Sequence, residues 1–240
     1  MVNFKFFSLV ASLLVASSTA QACNLPIHIR HDVTTSTTSS PFPIKTIAGV
    51  SVIDTPIVRD AQAFARAHTY PSLYNHVMRT WLLGALIIDA NGTLRDHIDL
   101  EVHAVGALLH DVGLDPAHFD SPTVSPDRRF EVDGATAARE FAREHHSSAG
   151  WDKARLQLLW DSIALHSTFS IADYKEPEVQ SVSQGARLDF YQSAGFGVTF
   201  DQVKNIAEAF PLGDIRSSFN ESTVWLCQYK ADTTYGEYYS

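Results

Sequence analysis

Apolar residues recur at three- and four-residue spacing through nearly the whole chain from Ile57 onward, a pattern that favours helices and little else. It predicts helices over Ile57–His68, Ser72–Asp89, Leu100–Asp111, Gly134–His146, Asp152–His166, Glu178–Ala194, Asp201–Phe210 and Ile215–Gln228. The boundary residues agree. Ser72 follows Pro71, Asp133 and Asp152 stand where N-caps belong, Asn91-Gly92 closes one helix and Gly113 follows another. No convincing alternating strand pattern and no internal repeat of about 20 to 50 residues is found. The expected fold class is all-α, a single helical bundle over residues 46–240. The longest break, Val112 to Arg129, holds three prolines and no periodicity, and such breaks in compact domains are functional or mobile loops.

Of the 240 residues 45% are hydrophobic, enough for a sizeable core. Eighteen Lys and Arg stand against 27 Asp and Glu, and no basic run exceeds Arg128-Arg129, which argues against a phosphate-backbone groove and a nucleic-acid partner. Two cysteines can neither staple a fold of this size nor build a thiolate metal site.

The N-terminus sets the expected compartment. One base, Lys5, precedes the apolar run Phe6 to Val15, and small residues lead to Ala20-Gln21-Ala22. This reads as a secretory signal over residues 1–22, cleaved after Ala22, with an extended Thr-, Ser- and Pro-rich arm over 23–45. The apolar run is too short to span a membrane, which takes about 20 residues. Loss of Lys5 takes the net charge from −9 to −10. In an oxidising compartment Cys23 and Cys227 are expected to pair, and Asn91 and Asn220 head acceptor sequons for glycosylation.

Four side chains carry the chemistry. His110-Asp111 closes the apolar stretch Val105, Leu108, Leu109, where two polar groups would carry a desolvation cost that a cation offsets. Adjacent helical positions point about 100° apart, so both reach one ion only if it lies between them, and the other ligands must come from other helices. His76 lies among Leu73, Val77, Leu82 and Leu83, and Asp189 stands between Leu188 and Phe190. Two imidazoles and two carboxylates suit one divalent ion, Zn before Fe or Mn, with positions left for water.

The order His, then His-Asp, then a distant Asp resembles the HD-domain metalloenzymes. The flanks are similar too: Ser72-Leu73-Tyr74-Asn75-His76-Val77-Met78-Arg79, Ala107-Leu108-Leu109-His110-Asp111-Val112-Gly113, Arg129-Phe130-Glu131-Val132-Asp133-Gly134-Ala135 and Trp160-Asp161-Ser162-Ile163-Ala164-Leu165-His166. Together, over about residues 56–215, they resemble the branch containing the cyanamide hydratases. The resemblance implies an HD-type bundle with His76, His110, Asp111 and Asp189 as metal ligands. The secretion signal departs from it, since these hydratases are associated with the cytoplasm.

Around this set, His166 and Glu131 are candidate proton-handling groups, and Asn75 and Arg79 candidate substrate donors. His103 reads as core. His145 and His146 read as a solvated helix end; in the alternative, His145 faces inward and with His166 completes a second metal site. The leading expectation is a secreted metal-dependent hydratase or hydrolase acting on a small polarised, nitrile-like molecule. One alternative is a phosphohydrolase acting on nucleotides or phosphate esters. The other is a non-catalytic secreted protein that keeps the scaffold.

Overall fold

The helical spacing is realised along most of the chain. A computed structural model describes residues 42–234. Among them a hairpin, β1 (Ile44–Ile47) and β2 (Val50–Ile53), precedes the helices α1 (Pro56–Ala67), α2 (Pro71–Ala90), α3 (Gly92–Arg95), α4 (Leu100–Leu109) and α5 (Phe130–Glu144). These are followed by α6 (Lys153–Ala164), α7 (Phe169–Ala172), α8 (Pro177–Tyr191), α9 (Phe200–Ala209), α10 (Ile215–Tyr229) and α11 (Ala231–Thr234). Proline opens α1, α2 and α8, where its missing N–H is no loss. Asp99 and Asp152 cap α4 and α6 by accepting from backbone N–H groups.

Four features differ from the sequence reading. The hairpin takes in Ile44 and Lys45 from the expected arm, and its strands were missed because each is only four residues long. Its turn, Ala48-Gly49, has φ of 48° and 79° and lacks the Asn or Asp usual in such turns. Helix α5 starts at Phe130, so Asp133 lies inside it and is no N-cap. Helix α8 stops at Tyr191, where Gln192 turns left-handed at φ 47°. The segment after α4 is not featureless. Asp115, Ser121, Thr123 and Ser125 are all buried in it, and His68, just after α1, binds Asp115 at 2.6 Å.

Helix α4 is buried at every position from Val102 to Leu109, apolar but for one residue, and packs against α1, α2, α5, α6 and α8. A helix hydrophobic all round belongs at the centre, and this one carries His110-Asp111 at its end. Helices α2 and α8 run antiparallel at close range. A Cβ at Gly185 would stand 2.5 Å from the Thr80 carbonyl oxygen, and one at Gly84 3.1 Å from that of Ser181. That register, continued one turn, sets Asp189 against His76.

His103 is the polar exception in α4. Its Nδ1 lies 2.8 Å from Ser181 Oγ, and burial pushes its pKa down to about 4. The unfolded chain, titrating near 6.5, therefore takes up this proton first as pH falls. The contribution is complete above pH 6.5 and is lost as pH drops towards 4, about 3 kcal/mol at 1.36 kcal/mol per pH unit. A His103→Gln variant should lack this part of the slope when unfolding free energies are compared across pH 4–7. Equal slopes in the two proteins would show that His103 does not titrate this way.

Candidate metal centre

Three imidazoles converge on one carboxylate. Helix α2 supplies His76, the end of α4 supplies His110 and Asp111, and the residue after the α6 C-cap is His166. Helix α4 ends at Leu109, and Asp111 leaves helical geometry at φ −109°, ψ 9°. This resolves the divergence of adjacent helical positions: Asp111 Oδ2 comes within 3.3 Å of His110 Nε2 and 3.4 Å of His76 Nε2. His166 Nε2 stands 3.5 Å from Asp111 Oδ1.

Hydrogen bonds behind the rings fix their tautomers. Nδ1–H donates to the Ala107 carbonyl from His110 (2.8 Å), to the Ile163 carbonyl from His166 (2.7 Å) and to Asp189 Oδ2 from His76 (2.6 Å). Every Nε2 in its neutral form is thus a lone pair turned towards Asp111. His76 Nε2 and His110 Nε2 are 3.1 Å apart with no proton to share, and Asp111 Oδ2 is buried without a hydrogen-bond partner. Two lone pairs and an unpaired carboxylate oxygen, all within 4.8 Å of one another, fit a divalent cation. The titration behaviour agrees. Burial opposes ionisation of Asp111, but His110, with His76 and His166, holds its carboxyl well below the usual range. Burial lowers the His110 pKa, and Asp111 more than reverses this. Burial and the neighbouring His110 push His166 down to about 4.

Asp189, expected as the fourth ligand, does not join this group. Its Oδ1 accepts from Arg79 Nε (2.6 Å) and Gln192 Nε2 (3.0 Å), and its Oδ2 from Arg79 Nη2 (2.9 Å) and His76 Nδ1. It orients His76 instead of presenting a free oxygen, the carboxylate–histidine arrangement that tunes metal ligands. Arg79, expected as a substrate donor, has its Nε and Nη2 held by Asp189. It is 1% exposed, and its remaining Nη1 donates to the Phe210 and Pro211 carbonyls. Asn75 likewise donates to the Pro211 carbonyl at 2.8 Å. Buried Glu131 accepts from Arg129 (2.7 and 3.2 Å) and Ser167 Oγ (2.7 Å), so its oxygens fix the turn carrying His166.

His145 and His166 are not brought together. His145 Nδ1 accepts from the Ser147 N–H, so its proton sits on Nε2 and is donated to Asp60 at 2.9 Å. Asp60, His145 and His146 form a separate group at the surface. There, a cation on His145 Nε2 would cost the Ser147 bond. Cys227 is exposed on α10 with a free thiol, while Cys23 and residues 1–22 lie outside the described residues. Asn91 is exposed and caps α3; Asn220 is exposed on α10, with Ser222 of its sequon buried.

A cavity of about 220 Å³ opens on His76, Asp111 and His166 and is otherwise walled by Phe130, Ser167, Phe169, Ala186, Phe190, Tyr191 and Phe219. A cleft of about 400 Å³ reaches His76 from the other side of Phe190 and Phe219, past Arg216 and Asn220. A larger cavity, about 490 Å³ along α5, touches none of the converging groups. The aromatic walls went unseen in the sequence because Phe130, Phe169, Phe190 and Phe219 come from four different elements.

The family model for the HD domain matches residues 73–188. Over this stretch the chain is similar to an HD domain. The match contains His76, His110, Asp111, Glu131 and His166 and ends one residue before Asp189. HD domains are mostly metal-dependent hydrolases and bind divalent metals, which accords with the donor set in this chain. A comparison with curated proteins found none that matches the chain. Among the described residues, no helix is long and apolar enough to cross a membrane.

Proposed function

We propose that this protein is a metal-dependent hydratase or hydrolase that adds water to a small, uncharged, polarised molecule, with a nitrile-like head as in cyanamide. One observation carries the reading: the unpaired Asp111 carboxylate and the histidines around it open into a cavity that no Lys or Arg lines among the described residues. Pockets for drug-sized ligands run from about 300 to 1,000 Å³, so 220 Å³ suits a molecule of few heavy atoms.

His76, His110 and Asp111 would hold the ion, which would supply Lewis-acid activation of water there. His166 faces the same space with a lone pair on Nε2, its Nδ1 proton being committed to Ile163, and takes the proton released as water adds. Glu131 keeps His166 in place through Ser167, and Asp189 keeps His76. We read residues 1–22 as an export signal, so the reaction runs outside the cell.

A second reading, phosphoester hydrolysis, draws on Arg216, which lines the cleft on the far side of Phe190 and Phe219. The two are separated by assaying metal-replete protein on cyanamide, other small nitriles and a panel of nucleotides, with His110→Ala as blank. Turnover of the neutral compounds alone is expected. Nucleotide turnover well above the blank, with none on the nitriles, would hand the site to the phosphohydrolase reading.

A further inference from the structure

The cavity beside the metal group is unlike a pocket for a bare polar molecule. Apart from Ser167, whose hydroxyl is committed to Glu131, its walls beyond the histidines and Asp111 are one alanine and five aromatic rings. The rings present both faces and edges. Phe190 meets Phe219 at 6.1 Å and 75° and Tyr191 at 5.3 Å and 88°, while Phe130 meets His166 at 5.9 Å and 67°. Arg187, stacked behind Phe169, has its charge taken up by Asp173 and adds no cation to the wall. Phe190 is 63% exposed and Tyr191 61%, so two large apolar side chains are left facing solvent at the mouth. Such exposure at a concave site marks apolar binding.

Size narrows the occupant. A dry apolar cavity of about 150 Å³ holds a benzene ring. The cavity here, about 220 Å³, therefore takes one ring and leaves room at the histidine end for a small head group.

We propose that the site takes a single-ring aryl substrate, the ring held between Phe169, Phe190 and Phe219 and an uncharged polar head turned to His76, Asp111 and His166. Edge-to-face contact with aromatic walls adds about 0.5–1.5 kcal/mol per pair beyond burial. The proposal rests on the water-addition reading for its chemistry. In an aryl nitrile, water oxygen bonds to the nitrile carbon, both water hydrogens end on nitrogen, and the amide forms without oxidant or reductant.

The test uses the metal-loaded protein and two measurements. Benzyl alcohol, which has the ring and no electrophile, is titrated calorimetrically beside methanol, in wild type and in the Phe190→Ala/Tyr191→Ala variant, whose exposed positions leave the core intact. Wild type is expected to bind benzyl alcohol at least tenfold more tightly than methanol, and the variant to lose most of that preference. Benzyl alcohol binding no tighter than methanol, or a preference untouched by the variant, overturns the aryl site. Separately, benzonitrile is expected to exceed cyanamide in kcat/KM, with the ratio falling about tenfold in the variant. Ring-dependent binding without turnover of either nitrile would leave the aryl site standing and remove the hydratase reading.

Discussion

Asp111→Asn protein is expected to bind no divalent ion and to lose at least about 10³-fold of its water-addition activity, because Lewis-acid activation is worth several kcal/mol. Among the described residues Asp111 is the only carboxylate whose oxygen meets two imidazole lone pairs, and its Oδ2 has no hydrogen-bond partner. The measurement pairs elemental analysis with calorimetry. Wild type should carry about one ion per chain, and a chelator should lower its melting temperature, since binding to the native state at 100 times Kd adds about 2.7 kcal/mol. The variant's melting temperature should not respond to chelator. Asp189→Asn should behave differently. It keeps the ion but weakens binding by about 10- to 100-fold, as loss of an orienting partner does. A metal-free wild type, fully folded and indifferent to chelator, would refute the centre. Loss of the ion in Asp189→Asn equal to that in Asp111→Asn would make Asp189 a direct ligand.

The division between Asp111 and Asp189 marks where sequence reading stops. The helices were legible because each buries one face or all of its surface, and period 3.6 survives without knowledge of neighbours; α4, apolar throughout apart from His103, announces itself as central. His76, His110 and Asp111 were legible for the same reason, as polar groups in apolar helices. Asp189 looked alike in one dimension. What separates it is Arg79, which forks both of its oxygens from across the α2–α8 contact, a pairing over 110 residues that no local pattern encodes. Asn75, Arg79 and Glu131 were found as polar residues near the motif, but their partners, backbone carbonyls for two of them and Ser167 for the third, became visible only with the fold. The hairpin escaped because four residues are too few to establish alternation.

Lys230→Met should destabilise the protein by about 3–5 kcal/mol, a large part of the roughly 5–15 kcal/mol that holds a domain folded. Lys230 follows α10 and is 2% exposed; its Nζ donates to Asp133 Oδ2 at 2.7 Å, and Asp133 in α5 is itself buried. Nothing in the sequence flags this pair, since a lysine at a helix end is ordinarily solvated. The attraction between two such ions only about repays their desolvation, so the cost of the single change lies in the carboxylate left behind, not in the bond lost. Arg128 Nε, 3.4 Å from Asp133 Oδ1 and on a side chain 48% exposed, cannot neutralise it fully. Asp133 also accepts the Ser125 N–H at 2.9 Å, tying the segment before α5 to the same carboxylate. A second change must therefore remove the charge and keep an acceptor. Lys230→Met with Asp133→Asn should recover most of the loss, because the amide oxygen still meets Ser125 and no ion remains unpaired, whereas Asp133→Leu would orphan that N–H. Denaturant unfolding of wild type, both single variants and the double closes the cycle. A single-variant loss under about 1 kcal/mol, or a double variant no better than Lys230→Met, would show that the pair does not hold the end of α10 to α5 in this way.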